Sequence, residues 1–87
     1  MKWKWFVYIF RCKDQSYYTG LTSQPDKRWM QHVGGLGSAY TMYHPVEKLV
    51  YLEEYENLEE ARLRELQIKG WTRMKKEKLI NGTWSKW

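Results

Sequence analysis

The run Trp5-Phe6-Val7-Tyr8-Ile9-Phe10 is the longest uninterrupted apolar stretch of the chain, and it constrains the fold more than any other segment. Trp3 to Arg11 is rich in aromatic and β-branched residues, and its nearly continuous apolarity is the pattern of a strand covered on both faces. A central strand is implied. Lys13-Asp14-Gln15 is turn chemistry and Tyr17 to Thr22 reads as a second strand, so the two make a hairpin. Side chains alternate faces with period 2, so the loop length decides which residues meet. With a three-residue loop Cys12 pairs with Ser16 and Tyr8 lies opposite Gly20, which puts Tyr8 and Tyr18 on one face. A two-residue loop would separate them. Gly20 leaves space beside Tyr8, a common reason for glycine inside a strand.

A chain of 87 residues is expected to form one domain spanning 1–87, and one so small buries only about 60% of the surface its unfolded chain exposes. Its core must come from few, large side chains. Six Trp, seven Tyr and two Phe supply them, so most of these aromatics are expected to be packing groups. A net charge of +5 favours polyanionic partners without proving one. The apolar run falls far short of the ~20 residues of a spanning helix, and no secretory signal precedes it. One cysteine, Cys12, excludes an internal disulfide and a Cys-rich zinc site. A cytoplasmic protein is expected, with Cys12 a strand residue rather than a nucleophile.

Pro25 suits the first position of a helix and Asp26 the positive end of its dipole. On a helical wheel Trp29, Met30 and Val33 form the expected buried stripe, while Arg28 and His32, four apart, lie together on its edge. The helix must end at Gly34-Gly35. The segment Gly34 to Pro45 reads as a long, glycine-rich, aromatic loop of the kind that carries function. Glu47 to Tyr55 is a third strand, with Leu49 and Tyr51 on one face and Val50 and Leu52 on the other. Asn57 and Glu60 make a capping-box pattern for a helix to about Lys69, closed by Gly70. On that helix Glu65 falls between Ala61 and Ile68 on the inward side, and a carboxylate there needs a partner or a cation. Glu59, Glu60, Arg64 and Gln67 are assigned outward. Thr72 caps a last helix, to about Asn81 and Gly82, with Met74, Lys78 and Leu79 spaced for docking and a basic run Arg73, Lys75, Lys76. Trp84 and Trp87 lie in the tail beyond it. The sum is an α+β fold, a three-stranded sheet in the order β-β-α-β-α-α flanked by helices.

Together these residues resemble the GIY-YIG nuclease superfamily, and most of all its small stand-alone branch, similar to the N-terminal nuclease domain of the bacterial excision-repair protein UvrC. Phe6-Val7-Tyr8 stands where the family has its first motif and Tyr18-Thr19-Gly20 where it has the second. Arg28 stands at the catalytic arginine, His32 at a histidine found four residues beyond it in several members, and Glu65 at the metal-binding glutamate. The resemblance covers about residues 5–80. It implies a metal-dependent endonuclease hydrolysing DNA phosphodiester bonds in repair or recombination, with Tyr8, Tyr18, Arg28, His32 and Glu65 catalytic and Glu65 holding Mg²⁺ or Mn²⁺. Arg73, Lys75 and Lys76 are candidates for following DNA phosphates. Branched, damaged or single-stranded DNA, with an unidentified recruiting protein, are the partners it implies.

Two other readings stay open on the residues alone. One is a nucleic-acid-binding module with this fold and little or no catalysis. The other is a protein-interaction domain that uses exposed aromatics and the Trp tail. Residue by residue, each candidate also has an ordinary role: tyrosines on strands pack, an arginine on a helix edge is solvated, and Glu65 can pair with Arg28, Arg62 or Lys69.

Overall fold

The hairpin forms as a three-residue loop requires. In the computed structural model, which describes residues 4–34 and 38–82, β1 (Trp5–Cys12) and β2 (Tyr17–Thr22) are antiparallel, with Tyr8 opposite Gly20. The Cys12 N–H donates to the Ser16 carbonyl at 2.8 Å, and Gln15 takes the left-handed conformation (φ 71°) that closes such a loop. Asp14 braces the turn by accepting from both the backbone N–H and the hydroxyl of Ser16. β3 (Val46–Tyr55) pairs antiparallel with the other side of β1, so the sheet order is β2-β1-β3. The apolar run is the central strand, as its composition demands.

β1 serves two cores. Val7 and Ile9 point to one face and pack with Ala61, Ile68 and Leu79, while Tyr8, Phe10 and Cys12 point to the other with Val46. Cys12 is a buried strand residue, and burial pushes its thiol up from the ordinary value. Two irregularities re-aim β3. The register runs from Ile9↔Tyr51 to Phe10↔Leu49 and from Arg11↔Lys48 to Cys12↔Val46, so Val50 and Glu47 are extra residues. Such bulges shift the alternation locally. Val50 and Tyr51 therefore both join the Val7/Ile9 side, and Leu49 and Leu52 share a groove with Tyr8 and Phe10. The strict alternation expected for Leu49 and Tyr51 against Val50 and Leu52 is corrected by that bulge.

The helices are α1 (Pro25–Val33), α2 (Ala39–Tyr43), α3 (Leu58–Lys69) and α4 (Arg73–Ile80). α2 is absent from the expected element order; it is one short turn inside the segment read as loop, started by Ser38, whose hydroxyl accepts from the Thr41 N–H. Asn57 and Thr72 cap α3 and α4 as expected, accepting from the Glu60 and Lys75 N–H groups. Ala61, Glu65 and Ile68 are the buried residues of α3. Trp3, Leu36, Trp84 and Trp87 lie outside the described residues.

Three expectations about helix faces fail, two of them for one reason. Met30 and Val33 are 69% and 56% exposed, whereas His32 is 1% exposed, so the buried side of α1 is polar at its centre and apolar at Trp29. Of the three α4 residues expected to dock, Leu79 is buried, while Met74 and Lys78 are exposed. Arg64, assigned outward, turns to the sheet and grips Glu53 with two nitrogens, Nε at 2.9 Å and Nη2 at 3.3 Å. Tyr51 and Tyr55 donate to the same carboxylate, and Trp71 lies under the Arg64 guanidinium. Burial pushes Glu53 up, but the bonds from Arg64, Tyr51 and Tyr55 outweigh it and hold the carboxyl below its ordinary value. On α1 and α3 a long-range polar partner drew His32 and Arg64 inward. Hydrophobic periodicity cannot see that.

Candidate active site

The site begins with a missing side chain. A Cβ on Gly20 would sit 2.2 Å from the Tyr8 hydroxyl oxygen and 2.3 Å from Cζ, so the Tyr8 ring lies directly over the glycine. Only glycine permits that approach. Phe10 and Tyr18 flank the ring on the same sheet face, at centroid distances of 4.5 Å and 6.3 Å. Tyr8 is 1% exposed, so its hydroxyl must find partners within the protein.

α1 supplies them. Its register brings Arg28 and His32 to the same oxygen: Arg28 Nε donates to Tyr8 Oη at 3.3 Å, and His32 Nε2 lies 3.3 Å from Oη. The residues four apart do lie together, but His32 is inside rather than on an edge. Burial pushes the Tyr8 phenol above its ordinary value, which the hydrogen bond from Arg28 only partly offsets, while Tyr18 and Glu65 add to the rise. The Tyr8 bond in turn raises Arg28, with Tyr18 contributing. His32 is pushed down to about 4 by burial and by the Arg28 charge, so it is neutral at pH 7. The resting cluster is thus one fixed cation, a neutral phenol and a neutral imidazole.

Behind His32 the chain of contacts continues into α2. His32 Nδ1 lies 2.8 Å from Thr41 Oγ1, which lies 3.1 Å from Ser38 Oγ. Tyr40 stacks on Tyr18 and His44 stacks on Tyr40, and His44 Nδ1 meets the Asp14 carboxylate of the hairpin turn at 2.5 Å. α2 is therefore fixed to the hairpin at one end and to the site at the other. Sequence reasoning missed Ser38 and Thr41. The available signal was a capping pair, Ser38 and Thr41 three apart, inside a segment treated as irregular.

Glu65 arrives from α3, which packs on β1 and β2. It is 8% exposed, pairs with the exposed Lys69 at 3.2 Å, and bears electrostatically on the Tyr8 phenol. Among the described residues no three His, Cys, Asp or Glu side chains converge on a metal position. One carboxylate closed by a flexible lysine fits a hard cation that keeps most of its water, as Mg²⁺ does, and does not fit a caged ion. Thr19, the neighbour of Gly20, has a buried hydroxyl without a protein partner and lies opposite Ile9, on the sheet face away from Tyr8.

The basic run lies elsewhere. α4 packs Leu79 into the Val7/Ile9 core, on the sheet face away from Tyr8. Arg73 donates to the Gln15 carbonyl, covers Tyr17 and pairs with Glu77; Lys75 sits over Trp71; burial lowers Lys76. Beside Arg28, by contrast, a polar hollow of about 420 Å³ is lined by Thr22, Ser23, Gln24, Lys27, Arg28 and Gln31. It holds two cations and no carboxylate.

The model of the GIY-YIG catalytic domain matches residues 4–78. The chain belongs to the GIY-YIG family. Relatives of this GIY-YIG domain include a UPF0213 protein of Clostridium perfringens, 47% identical over 76 residues that cover 87% of this chain and 82% of the relative. A UPF0213 protein of Staphylococcus saprophyticus is 42% identical, with 90% and 95% covered. The solution NMR structure of the UPF0213 protein BH0048 from Bacillus halodurans is 39% identical and superposes with a TM-score of 0.59, covering 90% of this chain and 83% of that one. The α+β GIY-YIG fold, its three-stranded antiparallel sheet flanked by helices, is common ground. The family is one of nucleases, and no helix of the described residues is long and apolar enough to cross a membrane.

Proposed function

We propose that this GIY-YIG domain is an endonuclease that hydrolyses DNA phosphodiester bonds with Mg²⁺ or Mn²⁺ at Glu65, in DNA repair or recombination in the cytoplasm. The observation that carries the reading is one phenolic oxygen, seated over Gly20, gripped at once by Arg28 and His32. Packing alone does not call for a guanidinium and an imidazole on a tyrosine that is already buried among aromatic rings. Arg28 Nη1 donates to the exposed Gln31 Oε1 at 3.2 Å, and exchange of that contact for phosphate oxygens would give the forked geometry that lysine cannot imitate. Tyr8 faces the attacking water as an acceptor, Tyr18 supports Arg28 and the phosphate, and His32 receives the phenol's hydrogen bond. A cation at Glu65 would supply charge neutralisation at phosphorus and a more acidic water.

Lys27 and Arg28 make the hollow beside α1 the better path for a phosphate backbone than α4, whose Arg73 and Lys75 lie against Tyr17 and Trp71 and whose Lys76 is half-buried. Binding of duplex DNA without metal is expected to show this in its salt dependence. Lys27→Ala should make the slope of log affinity against log salt shallower by about 1, and Lys75→Ala should leave it unchanged. The opposite pattern would return the DNA to α4.

The deciding experiment is incubation with Mg²⁺ or Mn²⁺ and a panel of branched, nicked and single-stranded DNAs. Cleavage is expected, reduced about 10²-fold or more by Glu65→Ala. Metal-dependent cleavage that survives Glu65→Ala would refute the metal assignment. The closed Glu65–Lys69 pair and the raised Tyr8 phenol favour a second reading, a binding module without turnover. Salt-dependent binding with no cleavage of any substrate would select it.

A further inference from the structure

We propose that Thr41 of α2 is a positioning residue of this site: it fixes His32 as the Nδ1–H tautomer, and thereby fixes the direction in which Tyr8 gives its hydroxyl proton. Tyr8 Oη has two partners within hydrogen-bond distance, Arg28 Nε and His32 Nε2. Arginine can only donate. If His32 Nε2 also carried a proton, Oη would accept from both and its own proton would have no protein acceptor, at a position with 1% exposure. Tyr8 therefore donates to a bare Nε2.

The same direction closes at the far end. Neutral imidazole with a bare Nε2 carries its proton on Nδ1, which donates to Thr41 Oγ1 at 2.8 Å. Thr41 passes its own proton to the Ser38 carbonyl at 3.4 Å, and Ser38 Oγ accepts the Thr41 N–H at 3.1 Å. Every proton from Arg28 to Ser38 has an acceptor in this one sense. In the reverse sense the Tyr8 proton has no acceptor within the protein.

This assignment has a chemical consequence. With its proton committed to His32 and one lone pair to Arg28, Tyr8 can meet a water on the substrate side only as an acceptor. That is the polarity a base needs, and the opposite polarity would make Tyr8 a donor that holds water still. The residue that decides between them is 33 positions from Tyr8 and touches neither the phenol nor Arg28. Asp14–His44 and the Tyr18–Tyr40 stack hold α2 in place from outside, so the hydroxyl reaches His32 from a braced element.

The tautomer is a property of the free protein, and only its effect on rate rests on the nuclease reading. Full-length protein labelled with ¹⁵N in the histidine rings, at pH 7 without metal or DNA, is expected to show His32 protonated at Nδ1 and bare at Nε2. His44→Gln identifies the other ring. Thr41→Ser should keep that pattern and Thr41→Val should move the proton to Nε2 or mix the two forms. In the cleavage assay Thr41→Val should lower kcat 10- to 100-fold with KM little changed, and Thr41→Ser should restore it. A wild-type spectrum with Nε2 protonated overturns the proposal even if Thr41→Val does not fold, as does a Thr41→Val spectrum identical to wild type. If no DNA is cleaved by any form, the nuclease reading fails while the spectra still decide the tautomer.

Discussion

Gly20→Ala is expected to reduce cleavage by 10²- to 10³-fold. The added methyl carbon would overlap the Tyr8 hydroxyl and ring at 2.2–2.9 Å, and Phe10, Tyr18 and His32 crowd the ring on its other sides. Tyr8 must tilt or rise away from the sheet by an ångström or more. It then loses its place between Arg28 and His32, and misplacement of a reacting group by ~1 Å costs on the order of 10²-fold. Overpacking should also cost about 1–3 kcal/mol of stability. Single-turnover cleavage beside a urea melt separates the two effects. A Gly20→Ala protein that cleaves at the wild-type rate would show that the Tyr8 hydroxyl takes no part in the chemistry.

The second large effect lies on the opposite face and is structural. Glu53→Ala leaves the Arg64 guanidinium, 11% exposed in its side chain, without its carboxylate, and strands the hydroxyls of Tyr51 and Tyr55. Breaking one side of a buried pair costs about 3–5 kcal/mol, a large share of the ~5–15 kcal/mol that holds a small domain together. Replacing both partners, as in Glu53→Met with Arg64→Leu, should recover most of that loss, because the desolvated charge goes too. The pH dependence has a defined sign. Glu53 is held below the ordinary carboxylate value of 4.5, so its contribution is complete above that pH and is lost as pH falls through the lowered value. Glu53→Ala should therefore show a shallower acid transition than wild type. Equal slopes of stability against pH between 5 and 2 would contradict the assignment.

Much of this was legible in the residues, and the reasons are particular. Lys13, Asp14 and Gln15 marked the turn but left its length at two or three residues, and the three-residue register is the one that seats Tyr8 opposite Gly20. Asn57 and Thr72 mark helix starts because a short oxygen-bearing side chain is what the first free N–H groups need. Glu65 stood out as a carboxylate between Ala61 and Ile68, and it is buried there. The failures share a different physics. His32 displaced Met30 and Val33 from the inside of α1 because Tyr8 and Thr41 satisfy its two nitrogens. Arg64 turned inward because Glu53 waited on a strand ten residues long whose bulges no pattern announced. Thr41 meets His32 only after Gly34 ends α1 and Ser38 starts a new turn. Long-range polar pairing leaves no local trace.

The alternation along β1 also says how such a domain can change. Val7 and Ile9 answer to α3 and α4, Tyr8 and Phe10 to α1, and the two groups share a backbone but hardly a neighbour. Aliphatic residues on the first side can drift in size and shape as long as their joint volume is kept and Glu65 on α3 keeps its place, while the Tyr8, Arg28 and His32 cluster on the second side stays still. The strand works as a partition wall, and descendants of one ancestor can refurnish one room without disturbing the other.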